Sequence, residues 1–514
     1  MVCDLKLEVN QFRAWLLSLL IHIITFCDIP PKTLILIAFR VLNTTRNINT
    51  PIRQTKGVIM ITIDARRCGA GKTRGENNNP HDTRSINFKV NALVEENEKV
   101  LVVLPGIHLI KEYQQQFPYA KAIYSDISGN VANELFNSIS EGDRLILITH
   151  KAFLQQVIHS GTKQHYNLII DEAFDPWSEQ TISSQRKDII FDWEEHTIIN
   201  EAFIDFDYYE IEFTDLATNN ITYESNIVRD LMNKNWLNYV KRKQYDELIQ
   251  TGKKRISIIQ ELSPYIFSGW RSIHIAAAAF EWTFLGWWME KHEIGFEVVY
   301  PFIPHDTPIF VYYPSDSSYK EIHNSKHKKF HSPWIRDQFN EYVSSVTEPV
   351  LRLKNNIDKN GAFSKEHCVK HNVAGVNEYS HIANISLESS LNPSPELACW
   401  FRLQQVGGTI YGARTGYLYY QVLMRSCLRN GEEATIYTLD SRAAICLCNY
   451  FEHIELQEFI LVPPVDLKVL KKDKPLTSTE RSQVKRFRDK NSLHKNKSPR
   501  EVLSLIHKRA TQKL

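Results

Sequence analysis

An apolar, β-branched run, Val58-Ile-Met-Ile-Thr-Ile63, leads into the loop Asp64-Ala-Arg-Arg-Cys-Gly-Ala-Gly-Lys-Thr73. A strand that empties into a tight glycine loop closing in Lys-Thr, with room for a helix behind it, is the context of a nucleotide phosphate cradle. Glycines at 69 and 71, with the small Ala70 between them, let backbone N–H groups turn toward phosphate oxygens. Lys72 is placed to neutralise β- and γ-phosphate charge, and the Thr73 hydroxyl to sit on Mg²⁺. One position departs from the full pattern: Arg66 stands where the first glycine belongs.

The chain has 514 residues, enough for two or three domains with sizeable cores. Hydrophobic residues make up 43% and charged residues 23%, an ordinary globular balance. The net charge of +2 hides an asymmetry, because residues 468–514 hold 15 Lys and Arg against 4 Asp and Glu. A basic tail on a mildly acidic body reads as an arm for nucleic acid or another polyanion, or as a solvated tail. Eight scattered cysteines, the closest being Cys446 and Cys448, form neither a zinc spacing nor a disulfide framework, so a reducing cytoplasm fits. The apolar run 14–27 is shorter than the roughly 20 residues of a membrane span and lacks a signal-peptide cleavage site. With 34–39 it reads as a buried or partner-facing helical pair, and no membrane role is expected.

Beyond the N-terminal extension of residues 1–50, short apolar runs at 58–63, 100–104, 145–149 and 168–170 alternate with helix-length segments such as 107–117 and 131–139. That alternation predicts βαβ units and a parallel sheet. It fades from 175 to 268, an acidic and aromatic stretch that then reads helical over 227–260 and is expected to be an insertion. A second α/β pattern runs from 309 to 461, with strands expected at 309–313, 382–387 and 434–439.

Tyr166-Asn-Leu-Ile-Ile-Asp-Glu-Ala-Phe174 is the second strong signal: a buried strand ending in two adjacent carboxylates. Asp171 is placed to hold Mg²⁺, and Glu172 to polarise a water attacking the γ-phosphate. The strand ends at Pro105-Gly106 and Thr149-His150-Lys151 are either phosphate-touching loops of a nucleic-acid motor or ordinary βα connections.

This ordered set resembles the first motor domain of superfamily 2 (DEAD/DEAH-like) helicases, especially those of phage and plasmid replication. The likeness is good over about 55–175 and weaker later. The resemblance implies a P-loop NTPase fold: two RecA-like parallel-sheet domains with an inserted subdomain and a basic C-terminal tail. The expected boundaries are 51–300 with the insertion at about 175–268, then 301–466, then the tail at 467–514. It also implies ATP and Mg²⁺ as cofactors, and hydrolysis coupled to movement along nucleic acid, DNA before RNA, with replication proteins as possible partners. Gly375, Asn377 and Tyr379 correspond to the family's fifth motif. Gln421, Arg425 and Arg429 correspond to its sixth, in which a Gln and two arginines face the γ-phosphate from the second domain. Their i, i+4, i+8 spacing places them near one helical face, although Met424 replaces the usual glycine and Arg429 comes one residue late. Where the family has its Ser-Ala-Thr motif, this chain has Ala276-Ala-Ala-Ala279. Glu281 and Thr283 are the polar residues near enough to substitute; otherwise the segment is a buried helix start.

Three alternatives stay open. One is a duplex translocase or packaging motor that does not unwind, a reading the missing hydroxyls favour slightly. A replication initiator or other DNA-binding protein switched by ATP is another. The third, a P-loop kinase, is disfavoured by the Gln/Arg segment. Trp287-Trp288 reads either as core or as a base-stacking platform. The basic residues around Phe487 in the tail are suited to phosphates.

Overall fold

The computed structural model describes residues 61–459 except 69, 71, 74–78, 80, 126–129, 184–196, 201–206, 214–230, 252–254, 315–332, 347, 354–367, 370–378, 389–392, 405–411 and 440. The N-terminal extension, the basic tail with Phe487, Gly375 and Asn377 therefore lie outside the described residues.

The first lobe opens with five strands: β1 (Ile61–Asp64), β2 (Lys99–Leu104), β3 (Lys121–Ile123), β4 (Leu145–Thr149) and β5 (Tyr166–Asp171). The chain then makes a separate sheet from β6 (Trp177–Ser183), β7 (Thr197–Asn200), β8 (Tyr208–Phe213), β9 (Trp236–Lys241) and β10 (Arg255–Leu262). It returns to the first sheet through β11 (Ser272–Ala276) and β12 (Phe296–Tyr300). That first sheet has seven parallel strands in the order β12-β1-β11-β5-β2-β4-β3. Its inner strands β2, β4 and β5 read as near-continuous apolar runs because both faces are covered. Leu101, Val103, Ile146, Ile148 and Ile170 pack on one face. Val100, Val102, Leu145, Leu147 and Ile169 pack on the other, under helices Ile86–Glu95 and Ile107–Gln116.

The inserted segment is a five-stranded antiparallel sheet, order β6-β10-β9-β8-β7. The helical reading of 227–260 is corrected here: among its described residues α-helix is confined to Leu231 and Arg242–Thr251. In β10 the two-residue alternation wins. Ile256 and Ile258 enter the sheet's own core, while Ile259, one residue out of phase, turns to the core of the first lobe.

The second lobe is a six-stranded parallel sheet of β13 (Ile309–Pro314), β14 (Val350–Leu353), β15 (Cys368–Val369), β16 (Asn384–Leu387), β17 (Ala434–Thr438) and β18 (Ile454–Phe459), ordered β15-β14-β16-β17-β13-β18. The architecture is thus two RecA-like α/β domains with an inserted sheet. Helix Pro395–Leu403 lies between strands of the second lobe in the chain but fills the core of the first. Its Trp400 ring lies 4.4 Å from Tyr239 and 5.1 Å from Tyr208, and Phe401 lies 5.1 Å from Trp177 and 5.4 Å from Phe284. Trp287 and Trp288 are buried in this core, so the stacking-platform reading falls. Among the described residues no helix is long and apolar enough to cross a membrane.

Candidate nucleotide site between the lobes

Parallel sheets gather chemistry at the carboxyl ends of their strands, and here β1, β5 and β11 end side by side. Past β1, Lys72 Nζ donates to the carbonyls of Arg66 and Arg67 at 2.9 and 3.1 Å. Thr73 Oγ1 donates to the Asp171 carboxylate, 3.2 Å from Oδ2. The sequence distance of about 100 residues is thereby closed to a hydrogen bond. Gly69 and Gly71 lie outside the described residues; Ala70 is half-buried, its carbonyl held by Arg66. The first described helix after the loop begins at Ile86, with Ser85 as its side-chain cap. Its Ile86 and Asn87 amides donate to the carbonyls of Lys72 and Thr73 at 2.7 and 3.0 Å, joining loop and helix.

Asp171 is buried, and removal from water together with the neighbouring Glu172 charge raises its carboxyl from 3.8 to about 7, against the pull of Lys72, Thr73 and Arg425. Glu172 has φ of +68°, a left-handed conformation costly for a residue with a side chain. Its amide donates to Ala276 at the end of β11, 3.0 Å away, which fixes that turn. His150, in the strand-end segment 149–151, donates from Nε2 to the Asp171 carbonyl at 2.8 Å; desolvation lowers this imidazole to about 4 and keeps it neutral. Thr149 is committed to capping helix His150–Gln155, the ordinary connecting role.

The second lobe meets the loop through Tyr420 and Gln421 and through Asp306, whose carboxylate lies 3.9 Å from Arg67 Nη1. Cys68 N–H donates to the Tyr420 hydroxyl at 2.9 Å, and Cys68 Sγ lies 3.6 Å from Gln421 Oε1. The Tyr420 hydroxyl lies 3.1 Å from His305 Nε2, in hydrogen-bond contact; burial lowers this histidine to about 4 and keeps its ring neutral. Gln421 Nε2 donates to the Tyr417 hydroxyl at 2.9 Å. Arg425, nearly buried, brings Nη2 to 3.8 Å from Glu172 Oε1.

One expectation is corrected. Gln421, Arg425 and Arg429 do not share a helix face, because helix Tyr417–Leu423 ends before Arg425. Ser426 starts a new 3₁₀ turn, Cys427–Asn430, by accepting from the Leu428 amide, and Arg429 is exposed on that turn. The chain turn, and not helical periodicity, aims Arg425 at Glu172. The alanine run after β11 is buried spacer. Ala277 and Ala279 amides donate to the carbonyls of Asp64 and Ala65 at 3.0 Å, and Ala278 and Ala279 pack into the core of the second lobe. Thr283 caps helix Phe284–Lys291, the buried helix-start role. Sequence reading missed the partners of Arg66, His305 and Tyr420; the charge pair Asp64/Arg66, two residues apart, was the one signal available.

The donor set suits a nucleoside triphosphate with Mg²⁺. A carboxylate and a hydroxyl in contact are hard oxygen ligands of the kind Mg²⁺ takes, and the raised Asp171 carboxyl marks a place where a cation is favoured. Among the described residues there is no cluster of three or more His, Cys, Asp or Glu side chains that could hold a metal by themselves. No family model matches the chain, and no curated protein matches it. Two solved structures align over 78% of this chain and 96% of their own, each at 11% identity. They are Xpd4 from S. tokodaii, with a TM-score of 0.41, and a hypothetical ATP-dependent RNA helicase from Sulfolobus tokodaii, with a TM-score of 0.20. Likeness at this level leaves the function to be read from the site itself.

Proposed function

We propose that the chain is an ATP-driven nucleic-acid motor, a DNA helicase that hydrolyses ATP in the cleft between its lobes. The observation that carries this reading is Arg425 of the second lobe lying 3.8 Å from Glu172, beside Lys72, Thr73 and Asp171 of the first. In this reading Gly69, Ala70, Gly71 and Lys72 hold the phosphates, with Lys72 leaving the Arg66 and Arg67 carbonyls for them. Thr73 and Asp171 hold Mg²⁺, which supplies charge neutralisation at the phosphates. Glu172 takes the proton of the attacking water, and Arg425, a donor fixed in advance, stabilises charge that develops as the γ-phosphate departs. Gln421, touching both Cys68 and Tyr417, reports the state of the loop to the second lobe. Arg429, exposed one turn on, is proposed as a supporting cation.

ATP hydrolysis measured with and without single-stranded DNA, duplex DNA and RNA tests the proposal. We expect stimulation by DNA, loss of at least about a hundredfold in Lys72→Ala, and retained ATP binding without turnover in Glu172→Gln. Hydrolysis that is absent, or indifferent to every nucleic acid, overturns it. A duplex translocase that does not unwind is the second reading, and one observation favours it. The run Ala277–Ala279 just past β11 is buried and carries no hydroxyl, and the Thr283 hydroxyl beyond it is committed to capping a helix. A fork-unwinding assay beside translocation on intact duplex separates the two.

A further inference from the structure

The residue that breaks the phosphate-loop pattern has the most completely bonded side chain in the loop. Arg66 Nε donates to Asp64 Oδ1 at 2.9 Å and Nη2 to Asp64 Oδ2 at 2.6 Å, a two-pronged charge-assisted pair. Nη1 donates to the Ala70 carbonyl, and Nη2 also reaches the Arg84 carbonyl, both at 3.2 Å. The guanidinium lies 5.1 Å from the centre of the Tyr300 ring, at the end of β12. Asp64 is fully buried, and the Arg66 side chain is 12% exposed. Four of the five guanidinium N–H groups are thus committed inside the protein, and the charge is neutralised at its source.

We propose that Arg66, clamped by Asp64, is an internal strut that sets the shape of the phosphate loop and so determines its affinity for a nucleoside triphosphate. This rests on the nucleotide reading above. The physical argument has three parts. A glycine at position 66 gives a loop its shape by backbone freedom alone, whereas Arg66 gives it by crosslinking both ends: Asp64 where the loop begins, Ala70 near its apex and Arg84 just before the following helix. Second, a trans peptide plane carries its C=O and N–H on opposite edges. Arg66 Nη1 therefore fixes the Ala70 carbonyl edge of its plane on the strut's side. Third, the Arg66 carbonyl receives Lys72, so the strut fixes the point from which the lysine swings to the phosphates. Arg66 is a positioning residue in this scheme, since its saturated fork leaves little to offer a phosphate directly.

Removing the arginine outright strands a buried carboxylate and endangers folding, so the test uses milder changes in the full chain. Arg66→Lys keeps the cation beside Asp64 but cannot span carboxylate and two carbonyls at once. Asp64→Asn keeps the shape and loosens the clamp. MgATP binding is titrated, and KM and kcat for hydrolysis are measured. For each variant we expect KM to rise about tenfold while kcat at saturation changes less than about threefold, with the double variant no worse than either single. Mere loss of folded protein lowers kcat and leaves KM untouched, so the split identifies positioning. Wild-type affinity in Arg66→Lys, or effects that multiply in the double variant, overturn the strut and leave the nucleotide reading standing. Failure of the wild-type chain to bind MgATP overturns both.

Discussion

Asp171 places the tension of the site in a single side chain. Its carboxyl, raised to about 7 from 3.8, keeps a proton in the folded chain that the unfolded chain has already released. Between those two values stability therefore falls as pH rises, and above about 7 the full cost of the buried charge is present. Asp171→Asn should abolish hydrolysis yet raise the melting temperature by about a few degrees at pH 8, with no difference near pH 4, as followed by circular dichroism. Mg²⁺ with nucleotide supplies the missing positive charge, so the stability gap between Asp171→Asn and the wild type should close when both are added. Glu172, next in the chain, holds its unfavourable φ because the Ala276 carbonyl fixes its amide.

At the scale of elements, the alanine run 277–279 is the seam between the lobes, bonded to the carbonyls past β1 on one side and packed into the second core on the other. Ala278→Leu should cost about 1–3 kcal/mol by overpacking, measurable by urea unfolding, and should depress ATPase activity further than the stability loss explains. The site was legible where its chemistry is contiguous. The loop ending at Lys72 and Thr73 and the strand ending at Asp171 each carry a strand run and their reactive groups in one short contiguous stretch, 58–73 and 166–172, and Thr73 and Asp171 do meet. The segment 421–429 was legible as to Arg425 but not as to geometry. Its break depends on Ser426 capping a new turn, a competition between local hydrogen bonds that spacing alone does not reveal. Likewise the 227–260 stretch carries enough helix-compatible residues to mislead, and only pairing of β10 with β6 and β9 decides its form.

For the whole molecule, the parallel sheets followed from strands alternating with helices, but the assignment of helix Pro395–Leu403 to the first lobe did not. An amphipathic helix declares that it has an apolar face, not which core receives it. Trp400 tests that placement: it is fully buried against Tyr208 and Tyr239, both in the inserted sheet. Trp400→Ala should cost about 3–5 kcal/mol. Fluorescence-detected unfolding should show the inserted sheet and the first lobe weakened together, with the second lobe spared. The same helix also sets an order of events during synthesis. A chain emerging from the ribosome has made both the first sheet and the inserted one by residue 300. The aromatic pocket lined by Trp177, Tyr208, Tyr239 and Phe284 still lacks Trp400 and Phe401 at that point. The first lobe therefore cannot close its core until about a hundred more residues have been translated, and through that interval this aromatic pocket is bare to whatever chaperone attends the nascent chain.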